Sequence, residues 1–485
     1  MIKQNDSTQK ITICILLILV TLVSAAAHLF MRFQTAWPNG LDGFFYAMEA
    51  KSFIQRGHLE NPSFGPMYYI SGVAGFLAGD VFAGVKLAAA VCTSLLMPGM
   101  YFFCRQFFSR QLSLLGALLT ALSPSLFTMS INYLNNIFGL VCFLFFSFFL
   151  LQFRRKKNWQ YLIPAMVFSA GAILGHLSTG LYALAFGGVL VYDSYLKKKN
   201  KNVWLAAILV GVMVCIAGGL LVTQWERFRG VFACIPSFPV FSQTFWFQLP
   251  AGVVIEMTLL MAISFAAVIV WFAIEKRFSF FPLLAFVFYF PFWDLTRLDM
   301  GYRLLLSATP AGIFAVVFLI HKMKIERLVR NRLAVFGLCF CTPLIFLSMQ
   351  VYTPQTDPPY EYYHDTVKGI ELPDDSLLIA HLGLNHVYTY YNNFQDALNY
   401  LPDFPVVKEK LWRLAYGVSF SLLDKQFPEA VETGCIKKIN ADYLLIREDY
   451  WRQYLESEDP MTRKSLENWF NPSYKRPGFI RMIHR

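Results

Sequence analysis

The sequence predicts an α-helical polytopic membrane protein of about 11 transmembrane helices, with a small C-terminal α/β domain held outside the membrane. Three observations carry this. Of 485 residues, 56% are hydrophobic and only 15% charged, with 48 phenylalanines, a balance that an ordinary soluble globule does not show. Apolar runs recur from residue 11 to residue 352, many of them close to the ~20 residues that a helix needs to cross the hydrocarbon core. The basic residues gather in clusters separated by pairs of these runs, as the cytoplasmic loops of a multi-pass protein do.

Taken in order, spans are expected at 11–32, 82–104, 111–130, 136–153, 160–176, 179–196, 203–223, 252–274, 279–293, 303–321 and 333–352. The first follows Lys3 and Lys10, is longer than a signal-peptide core and has no small-residue cleavage site, so it reads as a retained helix. The clusters at Lys3–Lys10, Arg105–Arg110, Arg154–Lys157, Lys197–Lys201, Lys276–Arg277 and Lys322–Arg332 then face the cytoplasm. That arrangement places the chain in the cell (inner or plasma) membrane, with the N-terminus cytoplasmic and the C-terminal domain extracytoplasmic. The segment from Met67 to Asp80 is apolar but short and contains three glycines, which suits a helix lying in the outer interface.

Two domains follow: a membrane module over 1–352, with its first outer loop at 33–81, and a soluble domain over 353–485 that begins at the linker TPQTDPPYEYYHD. In the second, Leu377–His381 and Tyr443–Ile446 read as short strands, and Asn385–Asn393, Val407–Val418 and Glu448–Leu455 as helices. The net charge of +11 belongs to the membrane module: residues 1–352 hold 27 Lys/Arg against 12 Asp/Glu, and residues 353–485 hold 15 against 19. That distribution points away from nucleic acid and towards membrane lipid. The nine cysteines lie mostly in apolar runs with no CxxC, which indicates neither a disulfide framework nor a metal site.

The first outer loop is too polar for lipid and offers the first candidate acid. Asp42, Tyr46 and Glu49 stand four and seven residues apart, which returns each to nearly one helix face. Asp42 also suits an N-cap after Asn39-Gly40, and the two roles are compatible. Glu49 and Lys51 fit a solvated face. Lys86, Asn135, Asn136, His176, Glu256, Arg297 and Arg303 lie at the outer ends of spans, where ionisable groups are costly unless paired, hydrated or functional. Snorkelling would explain Lys86 and Arg303, mutual pairing would explain Asp294, Arg297 and Asp299, and a hydrogen bond between two helices would explain His176. Their convergence beside the Asp42 loop suits a phosphate at headgroup depth.

Asp42-Gly-Phe-Phe-Tyr46 with Ala50 and Gly57, then Pro66-Met-Tyr-Tyr, Gly79 and Lys86, and further on Ser123-Pro124 with the polar run from Ser130 to Asn136, resemble the GT-C glycosyltransferases. That superfamily includes protein mannosyltransferases, the aminoarabinose transferase of lipid A and the catalytic oligosaccharyltransferase subunit. The resemblance implies transfer of a sugar from a polyprenyl-phosphate-linked donor to a glycan, lipid or protein acceptor on the extracytoplasmic face. It casts Asp42 as base or acceptor-orienting group and Tyr46, Glu49, Lys86, Asn135, Asn136, His176, Arg297 and Arg303 as substrate-binding residues. It departs from the pattern at Gly43, where mannosyltransferase-like members carry a second acid, at Asn135 and Asn136, where an acid would support a divalent metal, and in lacking Trp-Trp-Asp. No cofactor and no metal ligand are therefore assigned, and a divalent metal stays open only as what the superfamily resemblance allows.

Two other classes fit parts of the pattern. A transporter or flippase would use many spans but place its site near mid-membrane, and a non-catalytic partner in cell-surface polysaccharide assembly would need no intact site. The topology has a direct test: cysteines introduced at Lys199 and Tyr400 should be protected and modified, respectively, by an impermeant thiol reagent applied from outside. The reverse pattern would overturn the orientation.

Overall fold

The computed structural model describes residues 6–40, 42–60, 65–196, 211, 251–275, 303, 306–323, 367–368, 370, 378–380, 384–391, 443–447 and 480–484. Its helices are α1 (Asp6–Arg32), α2 (Gly43–Arg56), α3 (Pro66–Ala78), α4 (Val81–Ser94), α5 (Leu96–Cys104), α6 (Arg110–Ala121), α7 (Pro124–Asn132), α8 (Leu134–Lys156), α9 (Leu162–Gly175), α10 (Leu177–Leu196), α11 (Ala251–Glu275), α12 (Thr309–Lys322) and α13 (Leu384–Tyr391). The strands are β1 (Leu378–Ala380), β2 (Tyr443–Arg447) and β3 (Ile480–His484). The expected spans at 203–223, 279–293 and 333–352, the helices at 407–418 and 448–455, and Arg297 lie outside the described residues, apart from residue 211, which is helical.

Among the described residues, Ile11–Arg32, Val81–Cys104 and Leu134–Lys156 are long and apolar enough to cross a membrane, and α6 with α7 makes a fourth span if counted as one bent unit. Proline chemistry shapes two of these. The 82–104 run is divided at Leu95, because Pro98 has no N–H to offer the carbonyl of Ser94 and its ring crowds that carbonyl. The 111–130 run bends by 51° before Pro124, where Ser123 Oγ caps the new helix by accepting from Leu126 N–H at 3.1 Å. One span was expected over each run.

Helix α8 is the centre of the bundle, with 78% of its apolar window buried, and it packs on α3, α4, α5, α7, α9 and α10. Such contacts within lipid rely on close backbone approach and shape. At Gly139 an added Cβ would stand 2.2 Å from Thr179 Oγ1, and at Gly175 it would stand 2.5 Å from Gly139 Cα, so α8, α9 and α10 meet where a side chain would separate them. Around this crossing the phenylalanines interlock: Phe103 lies 5.5 Å from Phe314 and 6.2 Å from Phe186, the edge-to-face and tilted geometry that aromatic quadrupoles favour.

Helix α3, on the segment expected to lie in the outer interface, packs against α2 and α4 and leaves Val73, Phe76 and Leu77 exposed. The strands form one sheet in the order β1-β2-β3, parallel between Leu378 and Tyr443 and antiparallel between Tyr443 and His484. Two of them fall on the runs that the sequence marked as strands, and α13 falls on the expected 385–393 helix.

The glycine contact predicts an outcome. Gly139→Ala must push Thr179 aside, so unfolding in detergent should move to lower temperature by the equivalent of about 1–3 kcal/mol. Gly57→Ala, where an added Cβ meets nothing within 4 Å but φ is +76°, should cost about 1 kcal/mol from backbone strain alone.

Candidate active site

The site is assembled where the loop before α2 rests on the junction between α7 and α8. Gly40 has φ +80°, and a Cβ there would stand 2.4 Å from Ile131 O. Only a residue without a side chain lets the loop lie directly on the last turn of α7. Two residues later Asp42 occupies the N-cap of α2, yet its side chain makes no cap hydrogen bond. Its Oδ2 instead lies 3.9 Å from Arg303 Nη2, with each side chain 22% exposed. The guanidinium carbon of Arg303 stands 4.2 Å from the ring centroid of Tyr133, and Tyr133 is itself buried.

One turn beyond Asp42, the buried Tyr46 accepts a hydrogen bond at its Oη from Asn135 N–H, at 3.0 Å. Burial, the largest influence, pushes the Tyr46 phenol well above its ordinary pKa, with help from Tyr68 and Asp42, so it stays protonated. Asn135 Oδ1 accepts from Met67 N–H at 3.1 Å, which pins the start of α3 to the same junction. Asn136 Nδ2 donates to Ser178 Oγ at 3.2 Å. Ser178 N–H donates to His176 Nδ1 at 3.2 Å, and Ser178 Oγ lies 3.0 Å from that nitrogen and 3.3 Å from Ser307 Oγ. Ser307 Oγ donates to the carbonyl of Arg303 at 2.7 Å. Asn136 and His176 thus join α8, α9 and α10 to the turn that carries Arg303.

Two expectations need correction. Glu49 is fully buried, not solvated: its Oε2 accepts from Glu60 N–H at 2.9 Å and draws the turn after α2 back onto the helix. Lys86 does not snorkel but is 3% exposed, because Nζ donates to Thr35 O at 2.5 Å and sits 5.0 Å from the centre of the Phe33 ring. It secures the loop entering the site. The structure therefore brings Asp42, Tyr46, Asn135 and Arg303 together, with Asn136 and His176 behind Arg303. Glu49 and Lys86 have their recorded contacts on the flanking loops.

Three contributors were not placed at the site by the sequence, although Glu256 was singled out there as a polar residue at a span end. Arg32, at the end of α1, is buried and donates through Nη2 to Ser130 O at 2.8 Å and to Ser130 Oγ at 2.9 Å. Glu256 accepts from Ser125 N–H at 2.8 Å. Together they place a cation at the C-terminal end and an acid at the N-terminal end of α7, as its dipole favours. Tyr133 is the third, and its signal was an aromatic residue set inside the polar run between two helices. Neither Glu256 nor Arg32 could be paired with its partner from spacing, since 131 and 98 residues separate them.

Helix α13 covers the far side of α2. His386 lies 4.8 Å from Phe45 and Tyr390 lies 5.0 Å from Phe82, ring to ring. Lys51 Nζ donates to Tyr390 O at 2.5 Å and sits 4.6 Å from that ring's centre. Burial lowers the His386 imidazole to about 4 and raises the Tyr390 phenol to about 12, so both are neutral at neutral pH. The aromatic run from His386 to Tyr391 is a packed helix on the Asp42 element.

Among the described residues, no group of three or more His, Cys, Asp or Glu gathers as metal ligands would. The Asn135 amide oxygen is directed to Met67, so these residues do not fit a divalent-metal site.

Comparisons with known proteins follow the same lines. No curated protein matches the chain in sequence. Among solved structures, the chain is similar to ArnT from Cupriavidus metallidurans bound to undecaprenyl phosphate, at 14% identity over 97% of both chains with a TM-score of 0.56. The apo form of the same enzyme gives 15% identity over 99% of this chain and 98% of that one, with a TM-score of 0.53. The archaeal oligosaccharyltransferase AglB from Archaeoglobus fulgidus, in complex with an inhibitory peptide and a dolichol-phosphate, gives 12% identity over 97% of this chain and 74% of that one, with a TM-score of 0.53. At these identities the likeness establishes the fold of a multi-pass membrane protein. Residues 64–221, which run from the start of α3 past α10, match the dolichyl-phosphate-mannose-protein mannosyltransferase family.

Proposed function

We propose that the protein transfers a sugar from a polyprenyl-phosphate carrier to an acceptor at the extracytoplasmic face of the membrane, with Asp42 as base or acceptor-orienting group. The observation that carries this reading is the pairing of Asp42 with Arg303 at 3.9 Å, an acid and a cation that remain partly exposed at one end of a largely apolar bundle. ArnT binds undecaprenyl phosphate and AglB a dolichol-phosphate, which supports a carrier of the same class here.

A carrier of many isoprene units stays in lipid, so the enzyme must bring its reactive groups to headgroup depth. The Asp42 carboxylate takes the proton of the acceptor hydroxyl or amine as that oxygen or nitrogen attacks the anomeric carbon. The bond from that carbon to the phosphate oxygen breaks, and polyprenyl phosphate leaves with the electron pair. Arg303 neutralises the charge that develops on the departing phosphate. One displacement inverts the anomeric configuration. The buried Tyr46, held by Asn135, fixes the first turn of α2 and so the direction of Asp42. The acceptor is a glycan, lipid or protein that reaches the site between the membrane module and the 353–485 domain. The N-terminus and the basic clusters lie in the cytoplasm.

The test uses Asp42→Asn. Since the Asp42 side chain makes no cap hydrogen bond, the substitution should leave folding and donor binding intact while lowering turnover by about 100- to 10,000-fold, the usual range for loss of a general base. Arg303→Ala should instead weaken donor binding by the equivalent of about 1.5–3 kcal/mol. Release of sugar from a polyprenyl-phosphate donor in proteoliposomes measures both. Equal turnover in the unmodified protein and Asp42→Asn would favour a transporter or an assembly partner.

A further inference from the structure

We infer that Tyr133 is a positioning residue whose ring holds the Arg303 guanidinium in place against Asp42, an inference that rests on the glycosyl-transfer reading of that pair. The ring centroid lies 4.2 Å from the guanidinium carbon, inside the ~6 Å range in which the negative face of an aromatic ring attracts a cation. Burial strengthens this attraction, because Tyr133 is 4% exposed and the Arg303 side chain 22%.

The backbone makes the platform rigid. Tyr133 sits between α7 and α8 with φ −136° and ψ 65°, so it continues neither helix, and its N–H donates to Met129 O at 2.8 Å while its carbonyl accepts from Ile137 N–H at 3.1 Å. The neighbours on either side carry the other half of the site. Ile131 supports Gly40, two residues before Asp42, and Asn135 supports Tyr46, one turn after it. The acid and the cation are therefore both referred to one six-residue stretch, although Asp42 and Arg303 are far apart in sequence. At 3.9 Å the carboxylate and the guanidinium are loosely paired, which lets a phosphate oxygen compete for the guanidinium. A guanidinium held over an aromatic face can still present N–H groups to an anion.

The test separates ring electrostatics from packing. Tyr133→Phe removes the hydroxyl and keeps the ring, so its turnover with a polyprenyl-phosphate sugar donor should stay within about twofold of the unmodified protein. Fluorinated phenylalanines placed at position 133 weaken the ring's negative face in steps at nearly constant shape, and turnover should fall in the same steps, by about 5- to 30-fold at full fluorination. A purely structural Tyr133 would give no such gradient, and a flat series at unchanged unfolding temperature would overturn the inference. In a structure of Tyr133→Leu, Arg303 should leave its 3.9 Å position beside Asp42, and its staying there would overturn the inference as well. If the unmodified protein released no sugar, the glycosyl-transfer reading would fail, and the Tyr133→Leu structure would still decide the platform.

Discussion

Every group that this site uses is anchored to the break between α7 and α8. Over residues 131–136 the chain leaves one helix and enters the next, and each step of that turn meets a different element. Ile131 carries the Gly40 loop, Tyr133 the Arg303 guanidinium, Asn135 both Tyr46 and Met67, and Asn136 the Ser178 hydroxyl. The turn itself is fixed from both sides of α7, by Arg32 on Ser130 and by Glu256 on Ser125. Buried polar contacts of this kind contribute about 1 kcal/mol each when made and cost more when one partner is removed. Their value here is geometric, because they hold an acid and a cation on separate elements within one ion-pair distance.

The cations at this end of the bundle divide by what they hold. Lys86 and Arg32 are almost fully buried, and each donates to a main-chain oxygen, at Thr35 and Ser130. A buried cation must find such partners, since desolvation without them costs several kcal/mol. Both therefore act on the loops that frame the site. Arg303 is more exposed and faces a carboxylate and an aromatic ring, a setting in which an incoming anion can share it.

Much of the fold was legible in the sequence because lipid imposes simple rules on length and polarity. The first, second and fourth apolar runs and the helices of the first outer loop follow from apolar length, Gly57 and Gly79 stops and the Pro66 start. The bend before Pro124 and the break before Pro98 were readable from proline chemistry, but apolar length alone marked each run only as one span. Arg303 and Asn135 were legible as polar residues at span ends, and Asp42 as the first acid of the outer loop. Their partners were not, because azimuth and depth are set by packing: Lys86 faces Thr35 rather than solvent, Glu49 closes a turn, and Tyr133 looked like one more aromatic residue in a chain with 24 tyrosines. Spacing identifies a helix face, but not which element covers it.

A structure of the protein with polyprenyl phosphate bound would decide the role of the Asp42–Arg303 pair most directly. The phosphate should lie within hydrogen-bonding distance of the Arg303 guanidinium, beside the Asp42 carboxylate, with the guanidinium still over Tyr133. A phosphate held instead by Lys51 or Lys86, with Arg303 unmoved and Asp42 distant from it, would contradict that assignment.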